Sequence, residues 1–356
     1  MYLRKRLSNF YRTGSVMVSL KDIAEKCDVS VATVSKALND QKDIGADTKR
    51  RIRTAADELG YSPNAAARAL KTGQSFNLGV LFKDDAGSGL THEYFSGVLN
   101  GFKEEAEAVG YDITFINNRF GNRNASYTEH CRSRNFDGVV VVCASWDEQA
   151  VRALLDDKIP KVTIDYIHHR STAICSNNEK GIEDLLKFVY DRGHRAIAYI
   201  HGQDYSYVTR DRIKSFLRTA EELGIPIKKE YIREAKYLDG EAAAIETRKL
   251  LGLKNPPTCI FYPDDTSLIG SLPAFREKGV EIPKDVSVVG YDGTGLSQRL
   301  SPRICTICQN SDAIGREAAK RLIRLIEYPR TSLIERVVIE GALLPGDSVA
   351  KLSSKK

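Results

Sequence analysis

Residues 19–70 constrain this chain more than any other stretch: SLKDIAEKCDVSVATVSKALNDQKDIGADTKRRIRTAADELGYSPNAAARAL. Ser19 stands before an apolar-periodic run and Asp22 follows three residues later, the pattern of an N-cap with an acidic partner at N3. Ile23, Ala24 and Cys27 fall on one face at helical spacing. Asp28-Val29-Ser30 leaves room for nothing but a tight turn. Ser30 then caps a second helix over 31–38, with Val34 and Leu38 expected inward. Val31, Ala32, Thr33, Ser35 and Lys36 are left on or near its outer face. A third helix is expected from about residue 47 to 59, with Ile52, Ala56 and Leu59 inward and Gly60 as its stop. This is a helix–turn–helix, whose second helix enters the major groove of duplex DNA. Val31 and Ala32 offer apolar contact suited to thymine methyl groups, and Lys36 can donate to guanine acceptors. The Ser and Thr hydroxyls suit phosphates.

A helix–turn–helix pattern alone also fits an ordinary three-helix surface module, and charge decides between the two. Residues 1–73 carry fourteen Lys or Arg against eight Asp or Glu, a net of +6. The whole chain, with 53 basic and 47 acidic residues, is also at +6, so the remaining residues are neutral. All net positive charge sits in the first fifth of the chain, as in a DNA-binding head on a neutral body.

The runs VSLKDIAEKCDVSVATVSKALN and TKRRIRTAADELGYSPNAAARAL, with the Tyr61-Ser62-Pro63-Asn64 junction, resemble the head of the lactose-repressor family of bacterial transcription regulators. The resemblance implies that Asn39 and Tyr61 join Ser30, Val31, Ala32, Thr33, Ser35 and Lys36 in facing DNA. It also implies that 63–75 form a hinge helix and linker. Pro63 suits the first position of a helix, but the eight residues from Pro63 to Leu70 are too few for a stable isolated helix. In the family, paired hinge helices lie in the minor groove and a leucine from each wedges between base pairs. Leu70 matches that wedge, with Asn64, Ala67 and Arg68 beside it; the lesser alternative is a linker hydrophobe packed on the body. Residues 1–16 have no apolar core of a signal peptide. Met17 directly precedes the family's usual first residues, so 1–16 are expected to be a disordered extension upstream of the natural start, or a basic arm adding nonspecific affinity for DNA.

From residue 76 the pattern changes. Short apolar runs at 77–82, 111–116, 138–143, 161–164, 196–200, 258–262 and 286–291 alternate with helical segments at 95–109, 149–156, 180–192, 209–223, 240–251 and 267–278. Such alternation argues for parallel sheets covered by helices on both faces, and Gly110, Gly193, Gly224 and Gly279 stand where helices would end. RGHRAIAYI (192–200), TRDRIKSF (209–216), PDDTSLIG (263–270), DVSVVGYDG (285–293) and TICQNSDAIGREAAKRL (306–322) resemble the ligand-binding body of the same family, which shares its fold with bacterial periplasmic binding proteins. The expected fold is therefore an all-α helix-turn-helix head (17–62) plus an α/β body of two doubly wound parallel-sheet lobes (76–349). Lobe one is expected at about 76–176 and 307–336, lobe two at about 177–306 and 337–349, joined by three crossings, with 350–356 as a tail.

The resemblance places the ligand at the carboxyl ends of the strands, between the lobes. Arg212 matches the family arginine that clamps a hydroxyl or carboxylate, and Asp292 the acidic residue that accepts from sugar hydroxyls. Asp265 follows Asp264 where the family usually has Asn-Asp. The departure replaces an amide by an acceptor-only carboxylate, which disfavours an anionic ligand unless Arg210 or Arg212 neutralises it. Tyr237 occupies the place of an aromatic that stacks on a sugar face. Asp165, Gln309, Tyr94, Phe95, Ser145 and Trp146 complete the candidate set; Phe95 reads equally as core, Trp146 as mouth lining without ligand contact, and Asp165 as a cap.

No phosphate-binding loop, catalytic triad or paired-carboxylate motif is present, so no enzyme activity is proposed. Cys305 and Cys308 form a single C-x-x-C with no second pair for zinc, and His168-His169 reads as a solvated loop pair, so neither metal nor cofactor is expected. Seven scattered cysteines suit a reducing cytoplasm, and a nucleoid-associated bacterial location is expected, with no membrane contact. The expected function is a homodimeric regulator, a repressor, that binds double-stranded operator DNA and answers to a small effector, a carbohydrate. The alternative is a regulator of the same fold governed by a nucleobase-type or phosphoprotein corepressor. A pure carrier of this fold would lack the head.

Overall fold

The computed structural model of the protein describes residues 18–62, 73–84, 87, 89–120 and 123–352. The chain divides into two compact units between Ser75 and Phe76.

The described part of the first unit contains α1 (Leu20–Cys27), α2 (Val31–Leu38) and α3 (Ala46–Leu59). The N–H and hydroxyl of Ser19 both donate to Asp22, at 2.7 and 2.8 Å, so the expected cap of α1 is present. Asp28 ends that helix in a left-handed turn (φ 49°), and Ser30 caps the next by accepting from the Thr33 N–H at 3.0 Å. Ile23, Val34, Ala37 and Ile52 are fully buried at the centre. The expected inward pair on α2 was Val34 and Leu38; the structure buries Val34 and Ala37, and Leu38 packs only at the margin of the core. The short turn brings the helices close enough for a methyl group to fill the contact.

Lobe one of the second unit is a six-stranded, all-parallel sheet. Its spatial order is β13 (Arg336–Ile339), β7 (Thr172–Ser176), β6 (Lys161–Ile164), β5 (Gly138–Cys143), β1 (Asn77–Phe82) and β2 (Asp112–Phe115); a short antiparallel pair, β3 (Arg119–Phe120) with β4 (Arg123–Asn124), stands apart from it. One face is covered by α4 (Glu93–Ala108) and α11 (Ser311–Glu327), the other by α5 (Tyr127–Ser133) and α6 (Gln149–Asp156). α4 and α11 touch backbone to backbone. A Cβ on Gly315 would lie 2.0 Å from the Val98 carbonyl oxygen, and one on Gly101 2.3 Å from that of Asp312, so only glycine fits at either place.

Lobe two is a parallel sheet of β11 (Ser287–Val289), β10 (Cys259–Phe261), β8 (Ile197–His201) and β9 (Ile232–Glu234). On one face α7 (Asn178–Asp191) and α8 (Tyr207–Glu222) pack through Leu185, Leu186 and Phe216. On the other, α9 (Gly240–Leu251) and α10 (Asp265–Glu277) pack through Ala243, Leu250, Leu268 and Phe275. An antiparallel pair, β12 (Thr306–Cys308) with β14 (Ala342–Leu344), flanks this sheet.

The chain crosses between lobes three times. The first crossing follows Ser176. The expected second and third crossings, at 306/307 and 336/337, need correction: Thr306–Cys308 still pairs beside lobe two, and Arg336–Ile339 pairs with β7 in lobe one, so the chain crosses between 308 and 311 and between 339 and 342. Hydrogen bonding to distant strands sets these limits, and no local signal marks them.

Candidate functional site

On the head, Ser30, Val31, Ala32, Lys36 and Asn39 are exposed along one face of α2. Val31 is 44 % exposed and so offers apolar surface on this face. Thr33 and Ser35 are half-buried. Thr33 is held against the Ser30 hydroxyl at 2.9 Å, and the Asn39 amide donates to the Ser35 carbonyl at 2.7 Å. Lys36 is paired with Asp43, in the loop before α3, at 2.5 Å. Tyr61 packs half-buried against the head's own core, so its ring is a structural support as well as a DNA candidate. Asn64, Ala67, Arg68 and Leu70, like Met17 and residues 1–16, lie outside the described residues.

In the body, Arg212 projects from α8 and is 3 % exposed. Its Nε donates to Asn178 Oδ1 at 2.8 Å and its Nη1 to the Pro263 carbonyl at 2.9 Å, while its guanidinium lies over the Tyr291 ring at 3.5 Å. Beside it, Asp292 holds a positive φ of 100° and its Oδ1 accepts from Gln309 Nε2 at 2.7 Å. Gln309 is 7 % exposed, and its amide oxygen is buried without a hydrogen-bond partner, as is the hydroxyl of Tyr291. Tyr237 is fixed by a hydrogen bond of 2.9 Å between its hydroxyl and that of Thr209, and its ring lies close against Gly202. A Cβ at Gly202 would stand 2.0 Å from the Tyr237 ring.

Two of the expected ligand residues belong to the scaffold. Asp264 caps α10: its oxygens accept from the Ser267 N–H (2.7 Å), the Ser267 hydroxyl (2.8 Å) and the Leu238 N–H (3.0 Å). Asp265 has no exposed surface. It accepts from the Thr306 hydroxyl (2.8 Å) and from the N–H and hydroxyl of Thr294 (2.8 and 3.2 Å). These bonds tie α10 to its neighbours, so both carboxylates serve the scaffold.

Lobe one closes the opposite wall. Asp165 follows β6 with a left-handed backbone (φ 52°) and accepts from the Tyr94 hydroxyl at 2.6 Å and the Ser176 N–H at 2.8 Å. Its expected alternative, a cap, does not describe these partners. Phe95 packs against the lobe core between Phe82 and His92, with ring centroids 5.4 and 4.6 Å away, so core packing is its observed role. Ser145 lies in the loop after β5, where its carbonyl accepts from the Glu148 N–H at 2.9 Å. Trp146 stacks on Tyr166 at 4.0 Å, and Tyr166 meets the edge of Tyr207 from α8 at 5.4 Å. Arg210 is exposed, with its guanidinium over Tyr207 at 4.5 Å, so it stands at this aromatic mouth and not within the cleft. A second bridge between lobes runs from the Gly295 N–H to Glu93 at 2.8 Å.

Burial pushes Asp165 and Asp292 above the usual carboxylate range, and each is drawn back down by the Arg212 charge. Burial, reinforced by Asp292, raises Asp265 to about 7. Burial holds His92 below its usual value. The site is thus acceptor-rich with one buried cation, suited to hydrogen-bonding a small polar molecule. Two other groups bring His and carboxylate atoms within 4.8 Å: Asp156 with His168 and His169, and His201 with Asp204 and Glu234. In the first, Lys161 and Arg170 place positive charge beside His168. In the second, His201 Nδ1 is 2.7 Å from the Gly202 carbonyl.

The sequence reading missed Asn178, Thr209, Tyr291, Tyr166 and Tyr207. Tyr291 was within reach, since it adjoins Asp292 in a strand-end motif. Asn178 was masked by Asn177, which does cap α7 by accepting from the Lys180 N–H at 3.1 Å.

Residues 19–64 match the family model described as bacterial regulatory proteins, lacI family, and residues 186–349 match a periplasmic binding protein-like domain. The chain is 30% identical over 341 residues to "Probable HTH-type transcriptional repressor ExuR" of Bacillus subtilis (strain 168), covering 95% of this chain and all of that protein. It is 30% identical over 316 residues to the HTH-type transcriptional repressor PurR of Vibrio parahaemolyticus serotype O3:K6 (strain RIMD 2210633), covering 87% of this chain and 92% of that one. The fold matches the lac repressor dimer bound to operator and the anti-inducer ONPF with a TM-score of 0.77 at 23% identity, over 94% of this chain and 99% of that one. These relatives are transcriptional regulators, not enzymes. With a matched DNA-binding head and relatives aligned over nearly its whole length, the chain belongs to the lacI family of DNA-binding transcriptional repressors.

Proposed function

We propose that the protein controls transcription as a homodimer whose affinity for operator DNA is set by a sugar or sugar derivative bound between the lobes. The observation that carries this reading is the arrangement around Arg212. A buried guanidinium, the Asp292–Gln309 acceptor pair and the Tyr237 ring face one cleft, and hydroxyl-rich molecules satisfy both donors and acceptors there. Two heads would read the halves of a roughly palindromic operator through Val31, Ala32 and Lys36. Leu70 would wedge the operator centre, so Leu70→Gly is expected to weaken specific binding far more than nonspecific binding. Lobe closure on the effector would alter hinge separation, and the coupling is reciprocal: an effector that weakens operator binding is itself bound more weakly by the operator complex. The site of action is the bacterial cytoplasm, at the nucleoid.

The test has two steps. Selection from a random DNA pool across salt concentrations should return a palindrome with a flexible centre and a steep salt slope. Operator retention and thermal unfolding are then followed with a panel of monosaccharides and their derivatives. A sugar that shifts both supports the reading. A shift from a nucleobase or a phosphoprotein, with none from any sugar, overturns it.

A further inference from the structure

The lobe-closing wall of the cleft carries more than a generic sugar site needs, and its charge balance narrows the ligand. Resting on the sugar reading above, we propose that the effector is uncharged where it meets Arg212: a neutral hydroxyl-rich molecule, and not a carboxylate or phosphate ester.

The guanidinium of Arg212 is partly consumed by the protein. Its Nε goes to Asn178, which closes the side-on fork that a carboxylate would use, and one Nη1 proton goes to the Pro263 carbonyl. What remains is its outer end, and that end is already countered from both lobes. Asp292 stands on the same wall, and Asp165 faces it from lobe one with its oxygens held by Tyr94 and Ser176. Asp264 adds a further buried carboxylate behind the wall, capping α10, and Asp265 another beyond it. At the start of α4, burial holds His92 below its usual value and Glu93 accepts from the Gly295 N–H. On the third crossing side, Arg336 is 4.0 Å from Asp211, an exposed-edge pair that leaves no surplus charge. Arg210, the other cation expected to neutralise a ligand, is outside over Tyr207. Within reach of the ligand the cleft therefore holds one cation and at least two carboxylates.

The hydrogen-bond inventory points the same way. The amide oxygen of Gln309 is buried and unpartnered. The second oxygen of Asp292 takes no hydrogen bond among the described residues. Both are acceptors that call for ligand donors, while the unpartnered Tyr291 hydroxyl and the outer N–H groups of Arg212 can serve a ligand acceptor. A hydroxyl group donates and accepts and so meets both needs; a carboxylate or phosphate ester brings acceptors alone there, and would set like charge beside Asp292 and Asp165.

The experiment uses the full-length protein and matched probes: a set of aldohexoses, each with its uronate and its 6-phosphate. Binding is read from the fluorescence of Trp146, the single tryptophan of the chain, and from operator retention. The neutral member of a pair is expected to bind at least about tenfold tighter than its anionic partners. In Asp165→Asn, which keeps the shape of the wall and removes one charge, the gap should narrow severalfold. A uronate or phosphate that binds as tightly as its neutral partner overturns this proposal while leaving the sugar reading intact. Silence from every probe, with a response to a nucleobase, fails the sugar reading itself and this proposal with it.

Discussion

Replacing Arg212 by alanine tests the cleft most directly, and its consequence is larger than the loss of a ligand contact. Truncation strips two buried acceptors, Asn178 Oδ1 and the Pro263 carbonyl, of donors at 2.8 and 2.9 Å. An unsatisfied buried group costs about 1–3 kcal/mol. The two losses overlap, because water entering the vacated space serves both orphaned acceptors. We therefore expect the body to lose about 2–4 kcal/mol at neutral pH, beyond a surface pair's 0–1. The pH dependence identifies the cause. Asp165 and Asp292 are already raised by burial and are drawn down by Arg212. Without that cation both rise further, so the folded variant holds protons that the unfolded chain has released. Stability then falls as pH rises through that window. The deficit against wild type should keep a constant part from the two orphaned acceptors and grow from acid toward neutrality. Urea unfolding of wild type, Arg212→Ala and Arg212→Lys, followed by Trp146 fluorescence from about pH 5 to 8, measures it. Arg212→Lys keeps the charge and loses the fork, so it should recover most of the pH independence but not the effector response. A deficit for Arg212→Ala under about 1 kcal/mol, or one that does not change with pH, would refute the view that this guanidinium balances the cleft carboxylates.

Gly202→Ala places a methyl group 2.0 Å from the Tyr237 ring, which Thr209 prevents from swinging away; effector affinity should fall at least about tenfold while effector-free operator binding is retained, as anisotropy titrations will show. Ile52→Ala empties the fully buried centre of a small core and should cost the head about 2–5 kcal/mol, abolishing operator binding with the body's thermal transition unmoved. Asp43→Asn frees Lys36 from its exposed partner and removes an anion beside the reading helix; DNA affinity should rise severalfold with a steeper salt slope, and an unchanged slope would place Lys36 away from DNA.

The legible parts of this molecule are those written locally. Ser19 with Asp22 and Ser30 with Thr33 close their caps as their spacing implies. Gly110, Gly193, Gly224 and Gly279 all adopt positive φ at helix ends. β7 and β13 escaped notice because five- and four-residue runs between loops carry too few positions to show a period, and their partners lie more than 150 residues apart. The cleft divides in the same way. Arg212, Asp292, Gln309 and Tyr237 meet there, whereas the oxygens of Asp264 and Asp265 are taken up by protein donors. Strand-end position is the same for the two acids and for Asp292. What differs is which donors tertiary structure delivers: Leu238 and Ser267 to one, Thr294 and Thr306 to the other. Those donors sit up to 41 residues away, and no local pattern announces them.

The two aspartates that do face the cleft explain how binding there could move the lobes. Each sits in a backbone conformation that costs a non-glycine residue about 1–3 kcal/mol, and each is held by a group at a crossing between lobes. Asp165 grips the N–H of Ser176, the last residue before the first crossing, and Asp292 grips the side chain of Gln309, at the start of the second. A ligand that competes for either carboxylate therefore acts on the segments that must bend when the lobes shift. It also enters between Arg212 of lobe two and Asp165 of lobe one, whose attraction favours closure. The energy available for coupling is then bounded by one or two hydrogen bonds at about 1 kcal/mol each, more where charge assists. That range meets the 1–3 kcal/mol that allosteric coupling commonly requires, so these few contacts suffice to carry it and no longer path through the core is needed.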